Sequence, residues 1–233
     1  MNSVNEVEKE FSKHANEYNS YNIIQQIVSK ALVREMRSKP KRVLELGCGS
    51  GQVFKNIDFP FEYYKAIDFS KTMCDIHPKA KNLEIVCLNF DSEEFFENIA
   101  GENYDLVLSS SALQWSEDLK KIVKALSRIS NEVNAVLFTS NTFKKIFELT
   151  GTVSPILDEK SIKEAFSSCY SCEFETIKYN LEFENKKKLF DYIKNSGVRG
   201  SSKELSYKEA KHLYKNYDLE FLEFEVIFVK GKR

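Results

Sequence analysis

No apolar run in this sequence approaches the roughly 20 residues that a membrane-spanning helix requires, so no such helix is expected. The opening stretch from Met1 to Glu10 is polar and acidic, which argues against a secretory signal there. Histidine is scarce. Only His14, His77 and His212 occur, and the one C-x-x-C, Cys169 with Cys172, has no second cysteine pair. A zinc site needs more ligands than that, so no metal is expected. The five cysteines are odd in number. Cys48, Cys74 and Cys87 fall in apparent core strands, helices or a glycine turn, which fits a reduced, cytoplasmic protein. Formal net charge is −1, so there is no global basic field of the kind a duplex nucleic-acid binder uses. Nor is there an Asn-Pro-Pro-Tyr-type motif for a flipped base, an internal repeat or a low-complexity linker. No nucleic-acid or membrane partner is therefore expected, and nothing marks an oligomeric state.

The 233 residues, 42% hydrophobic, suffice for one large α/β domain, and a single domain over 1–233 is expected. Ile23, Ile24, Ile27, Val28, Ala31 and Leu32 recur at helical spacing. Phe11, Ala15 and Tyr18 make a shorter stripe before them, so 1–39 reads as N-terminal helices ended by Pro40. Asn19 and Ser20 break the two stripes and are expected to cap the second helix. From Lys41 short apolar runs alternate with amphipathic stretches. Strands are predicted over Arg42–Leu46, Tyr63–Ile67, Leu83–Leu88, Tyr104–Ser109 and Ala135–Ser140. Helices follow, among them Glu117–Ile129 and Thr142–Thr150. That alternation predicts a parallel sheet with crossover helices. Later come a helix at Asp158–Ser168 and two alternating strands, Glu173–Phe183 and Leu219–Val229. Between those strands, 185–217 holds two polar helices, the second opening on a capping box, Ser206 with Glu209. An insertion between late strands is expected to sit over the sheet's end as a lid.

The chemistry is concentrated in Val43-Leu44-Glu45-Leu46-Gly47-Cys48-Gly49-Ser50-Gly51. A glycine turn between strand and helix lets backbone approach a ligand closely, at the carboxyl ends of the strands. Asp68 ends the second predicted strand, 21 positions after Gly47, close to the spacing of an acid that grips ribose hydroxyls. A dinucleotide fingerprint is G-x-G-x-x-G, preparing a helix N-terminus for pyrophosphate. This chain has G-x-G-x-G, with Glu45 two residues ahead. A carboxylate there suits a ligand with an ammonium group and no phosphate, and S-adenosylmethionine is such a ligand. A plain tight connection is the structural alternative.

In order and spacing, Val43–Gly51, Asp68-Phe69-Ser70-Lys71-Thr72-Met73 and Asn89-Phe90-Asp91 resemble the first three motifs of the class I methyltransferases. The resemblance implies a Rossmann-like, seven-stranded, mostly parallel sheet and S-adenosyl-L-methionine as cofactor. It implies that Asp68 binds the ribose, that Asp91 accepts from the adenine amino group and that Phe90 lies beside the ring. Asp91 also reads as a helix N-cap before Ser92–Ile99, and the two roles are compatible. Two further stretches, Phe11–Tyr18 with Gln25 and Ser109-Ser110-Ser111-Ala112-Leu113-Gln114-Trp115, resemble the malonyl-[acyl-carrier protein] O-methyltransferases of biotin synthesis. Phe138–Phe143 with Glu148-Leu149, and Leu189–Val198, fit the same family. This chain departs from it in two places. Asn131-Glu132-Val133-Asn134 replaces a usual Pro-Gly-Gly turn, and Ser110 stands where asparagine is frequent.

That resemblance implies an enzyme methylating the free carboxylate of a malonyl group on acyl carrier protein or malonyl-CoA. The cofactor set then comprises Tyr18, Glu45, Gly47, Cys48, Gly49, Gly51, Asp68, Phe69, Met73, Asn89, Phe90, Asp91, Ser109 and Ser110. No acid–base residue is expected, because a carboxylate is already ionised near neutrality. Tyr18, Trp115 and Arg199 are positioning candidates. Tyr18 closes over the methionine end, or else makes a helix–helix contact. Trp115, the one tryptophan, serves in positioning, or else anchors the core. Arg199 grips the malonyl carboxylate. From Lys186 to Lys215 nine basic residues face three acidic ones, a surface suited to an acidic carrier or simply a solvated lysine-rich face. Two other functions fit less of the chain: a methyltransferase for a different small-molecule carboxylate, oxygen or nitrogen, and a non-catalytic cofactor-binding regulator.

Overall fold

The computed structural model describes residues 22–195 and 206–233. Tyr18, Arg199, the Asn19-Ser20 break and the stripe from Phe11 to Tyr18 lie outside these residues, as does 196–205 of the 185–217 insertion.

Helix α1 (Ile23–Arg34) precedes β1 (Arg42–Leu46), β2 (Tyr63–Asp68), α2 (Lys71–Ile76), β3 (Leu83–Cys87), α3 (Glu93–Ile99) and β4 (Leu106–Ser110). Then follow α4 (Leu119–Ile129), β5 (Glu132–Phe138), α5 (Lys144–Thr150), α6 (Glu159–Ser167), β6 (Ser171–Glu182), α7 (Lys186–Asn195), α8 (Tyr207–Asn216) and β7 (Phe221–Lys232). The strands form one seven-stranded sheet in the order β3-β2-β1-β4-β5-β7-β6. Strands β1 to β5 run parallel, and β7 is antiparallel to both β5 and β6. The Rossmann-like, mostly parallel architecture expected from the sequence is therefore present.

The central strands are apolar on both faces because helices cover both. On one face Ile24, Val28 and Leu32 of α1 pack with Val43, Tyr64, Leu106, Leu108 and Val136. On the other, Phe95, Ile99, Ile122, Leu126, Ile162 and Phe166 from α3, α4 and α6 pack with Leu44, Leu46, Ile67, Val107 and Leu137. Helix starts follow local chemistry. Ser70, Ser92, Asp118 and Asp158 each accept a backbone N–H three residues on, capping α2, α3, α4 and α6.

Some boundaries differ from expectation for reasons outside the local sequence. Strand β5 begins at Glu132 rather than Ala135, because Glu132 pairs with Lys232 of β7. The missing Pro-Gly-Gly turn is replaced by Ser130. Its hydroxyl donates to the Glu132 carbonyl and accepts from the Glu132 amide, at 2.9 and 3.2 Å. On α1 the buried row is Ile24, Gln25, Val28, Ser29, Leu32 and Val33, so Ile23 and Ile27 of the predicted stripe are exposed. Cys87, expected in the core, is exposed, because β3 is an edge strand.

The 185–217 insertion supplies α7 and α8, and α8 opens on the predicted Ser206–Glu209 capping box. Leu189, Tyr192, Ile193, Leu213 and Tyr217 are buried in the same cluster as α1. Its place in the sheet follows from register. Phe138 at the carboxyl end of β5 pairs with Val226, and Glu182 at the end of β6 pairs with Phe221. The chain between β6 and β7 thus leaves from, and returns to, the edge where β1 to β5 end. No helix among the described residues is long and apolar enough to cross a membrane.

Candidate active site

The strand order reverses at β1, which has β2 on one side and β4 on the other. A doubly wound sheet leaves a crevice at such a point, outside the carboxyl ends of the strands. The glycine turn emerges there. The amides of Gly47 and Cys48 both donate to the Ile67 carbonyl, at 2.8 and 3.0 Å, and Gly51 N donates to Cys48 O at 2.9 Å.

Gly47 and Gly49 illustrate two different demands. Both have positive φ, +69° and +50°. A methyl on Gly47 would lie 2.0 Å from the Ala112 Cβ, so Gly47 is required by the segment after β4. A methyl on Gly49 would meet nothing among the described residues within 4 Å. The backbone at Gly49 therefore faces open space, as a turn that receives a ligand must.

Asp68 at the end of β2 ties the turn to the next helix. Its Oδ2 accepts from Gly49 N at 2.8 Å and its Oδ1 from Ser70 N at 2.9 Å. Each carboxylate oxygen has a second lone pair, so both bonds are compatible with further donors. Replacing Asp68 by Ala leaves these buried amides without their acceptors. The expected result is a loss of about 3 kcal/mol in unfolding free energy, measured by urea titration, with a smaller loss for Asp68→Asn.

Glu45 is 1% exposed and accepts from the Tyr64 hydroxyl at 2.6 Å. Burial pushes its carboxyl up to about 8; the Tyr64 hydrogen bond opposes the rise and the nearby Asp68 charge adds to it. Sequence reasoning missed Tyr64, which reads as one more apolar residue of a buried strand. The signal was its period-2 relation to Ala66, the residue that pairs with Glu45.

At the end of β3, Asn89 Oδ1 accepts from Asp91 N at 3.0 Å, making a local turn. The N-cap of α3 is Ser92 and not Asp91, which corrects that alternative. Asp91 instead accepts from Glu117 N at 3.2 Å through Oδ1. Burial lifts its carboxyl to about 6, the Glu117 amide pulling the other way. Phe90 and Met73 are buried, at 6% and 2% exposure, and Phe69 is half-buried. Cys48 is buried too, and its thiol is pushed well up by that burial.

The β4 residues divide. Ser109 is fully buried and its hydroxyl donates to the Leu46 carbonyl at 2.9 Å, so it links β4 to β1 inside the sheet. Ser110 is half-buried at the strand's end. Trp115 is half-buried on a 3-10 turn, Leu113–Trp115. The structure thus brings together Glu45, Gly47, Cys48, Gly49, Gly51, Asp68 and the ends of β3 and β4 along one edge. Among the described residues no group of three or more His, Cys, Asp or Glu side chains is placed to hold a metal ion.

Comparison with known proteins points the same way. The family described as Methyltransferase domain matches residues 44–132. The malonyl-[acyl-carrier protein] O-methyltransferase of Bacillus anthracis is 27% identical over 233 residues, covering 90% of this chain and 86% of that protein. Among solved structures, a putative methyltransferase from Bacillus halodurans superposes with a TM-score of 0.65 at 12% identity, covering 88% of this chain and 97% of that one. The plantazolicin methyltransferase BpumL, solved in complex with SAH, gives 0.51 at 14% identity over 97% of this chain and 90% of that one. At those identities the two structures speak for the fold.

Proposed function

Since the chain is a class I S-adenosylmethionine-dependent methyltransferase, we propose that it methylates the free carboxylate of a malonyl thioester, an early step of biotin synthesis. The observation that carries the finer reading is the similarity to the Bacillus anthracis protein of that name over nine-tenths of the chain.

The residues at the switch point fit the cofactor, because of the three glycines in the turn only Gly49 leaves open space among the described residues, and its amide donates to the Asp68 carboxylate. When bound, S-adenosylmethionine supplies a methyl group already activated on a sulfonium. Glu45 would accept from the ammonium end, Asp68 from the ribose hydroxyls and Asp91 from the adenine amino group. Phe90 and Met73 line the adenine side, and Tyr18 and Arg199 retain the roles read from the sequence. The acceptor carboxylate, already ionised near neutrality, would be the nucleophile toward that methyl group. No proton moves, so the chain needs no general base. Its task is to hold the two reactants in line and dry, which is worth on the order of 7–11 kcal/mol when positioning is good.

Carrier recognition falls to the insertion. Lys187, Lys208, Lys211 and Lys215 are exposed and make no ion pair among the described residues. An acidic carrier protein would be steered by such a face. The test is incubation with labelled cofactor and malonyl-carrier protein, followed by assay for base-labile methyl ester. Transfer is the expected result. No transfer, with activity on an unrelated acceptor, overturns the malonyl reading.

A further inference from the structure

A second recess opens on the same edge of the sheet as the glycine turn. It is a narrow crevice between the turn Leu113–Trp115, the end of β5 and the stretch from Ser154 to Ile156. Its walls are largely aromatic, with Trp115, Phe138, Phe143 and Phe147. The glycine turn adjoins it through the Gly47–Ala112 contact, and Ala112 is two residues before Gln114.

Two polar atoms in this crevice have no hydrogen-bond partner among the described residues, Gln114 Oε1 and Ser154 Oγ. Gln114 is only 3% exposed. Its orientation is fixed, because its Nε2 donates to the Ser111 carbonyl at 2.6 Å, leaving the oxygen as the unmatched end. Ser111 is itself held in the left-handed region at φ 58°, and its amide donates to Val136 O of β5 at 2.8 Å. A non-glycine residue in that region is strained and persists where its surroundings impose it. Thr142, another polar residue of the wall, donates its hydroxyl to the Glu225 carbonyl and is satisfied. Buried polar atoms are nearly always paired, so two unmatched ones in a single recess call for a ligand that supplies the partners.

Their chemistry specifies the ligand. Gln114 Oε1 can only accept, so the ligand must present an N–H or O–H. Ser154 can donate to a carbonyl oxygen. An ionised carboxylate has no proton to offer Gln114, and a bare thioester has none either. An amide supplies both groups. The arm that bears an acyl thioester, on a carrier protein or on coenzyme A, contains amides. We propose that this crevice binds that arm, with Gln114 Oε1 accepting an amide N–H and the Ser154 hydroxyl donating to an amide or thioester carbonyl. The inference rests on the malonyl-thioester reading and adds the part of the acceptor that the chain recognises.

Trp115 lines the crevice and is the chain's one tryptophan, so its fluorescence reports occupancy without turnover. The probe is S-acetyl-N-acetylcysteamine, with S-ethyl thioacetate as the amide-free control. The amide probe is expected to change Trp115 emission and the control to leave it unchanged. Gln114→Met and Ser154→Ala should each weaken the probe about tenfold, a loss of about 1.4 kcal/mol, while cofactor affinity stays as in the wild type. In turnover both variants should raise KM about tenfold for malonyl thioesters on carrier protein and on coenzyme A alike, with kcat little changed. Equal response to probe and control, no response to either, or variants that bind the probe like the wild type would overturn the subsite. A probe response lost in both variants, with no methyl transfer to any malonyl thioester, would instead retain the subsite and remove the malonyl reading.

Discussion

Gly49→Val is expected to weaken binding of the cofactor, or of its demethylated product, at least ~100-fold, or about 2.7 kcal/mol by titration calorimetry. The side chain would enter the open space above the turn, where a Cβ meets nothing among the described residues within 4 Å. The fold should survive. The cost of a β-branched residue at φ +50° is about 1–2 kcal/mol, set by the left-handed backbone alone. Gly47→Ala is the informative contrast. Its methyl would sit 2.0 Å from the Ala112 Cβ, so the turn or the segment after β4 must move, and stability and binding should fall together. Normal cofactor affinity in Gly49→Val would mean that the ligand sits elsewhere.

The second large effect is a pH dependence. Burial holds the Glu45 carboxyl near 8, so in the ligand-free protein it is mostly protonated at pH 7. If it accepts the ligand's ammonium group as a carboxylate, binding must release that proton. Affinity for the cofactor product should then rise up to tenfold per pH unit between about pH 6 and 8 and flatten above. Glu45→Gln should bind more weakly and lose that slope. Stability runs the other way. The folded state holds the proton more tightly than the unfolded chain, so this contribution is fully present below the ordinary glutamate pKa of about 4.3. It is lost as pH rises to about 8, at up to roughly 1.4 kcal/mol per unit. Thermal melts should therefore show Glu45→Gln gaining on the wild type as pH increases. A flat binding profile in the wild type would remove Glu45 from the ammonium contact.

The strands and helices were largely legible because their signals are local. Val43–Leu46 is an apolar run closed by a glycine turn, and α8 starts where Ser206 and Glu209 said it would. What was not legible depended on partners distant in sequence. The start of β5 is set by Lys232, a pairing that no local pattern around Glu132 announces. In the site, the glycine turn and Asp68 could be placed from spacing, but not that Asp68 already accepts from Gly49 and Ser70. Ser109 was grouped with ligand-facing residues from its neighbours in the motif, while its hydroxyl is directed into the sheet at Leu46. Gln114 and Ser154 lie 40 positions apart and have meaning only together, across a crevice that the fold creates.

The pairing of Glu182 with Phe221 carries a consequence for how such a chain diversifies. The two ends of the α7–α8 segment leave the sheet from neighbouring strands, so the segment behaves as a cassette plugged into a fixed socket. Its length and sequence can drift, or be exchanged for another, while the β6–β7 pairing that frames it stays closed. The glycine turn and Asp68, on the far strands β1 and β2, need not change with it. One scaffold can in this way keep its donor chemistry constant while selection rewrites the surface that meets the acceptor.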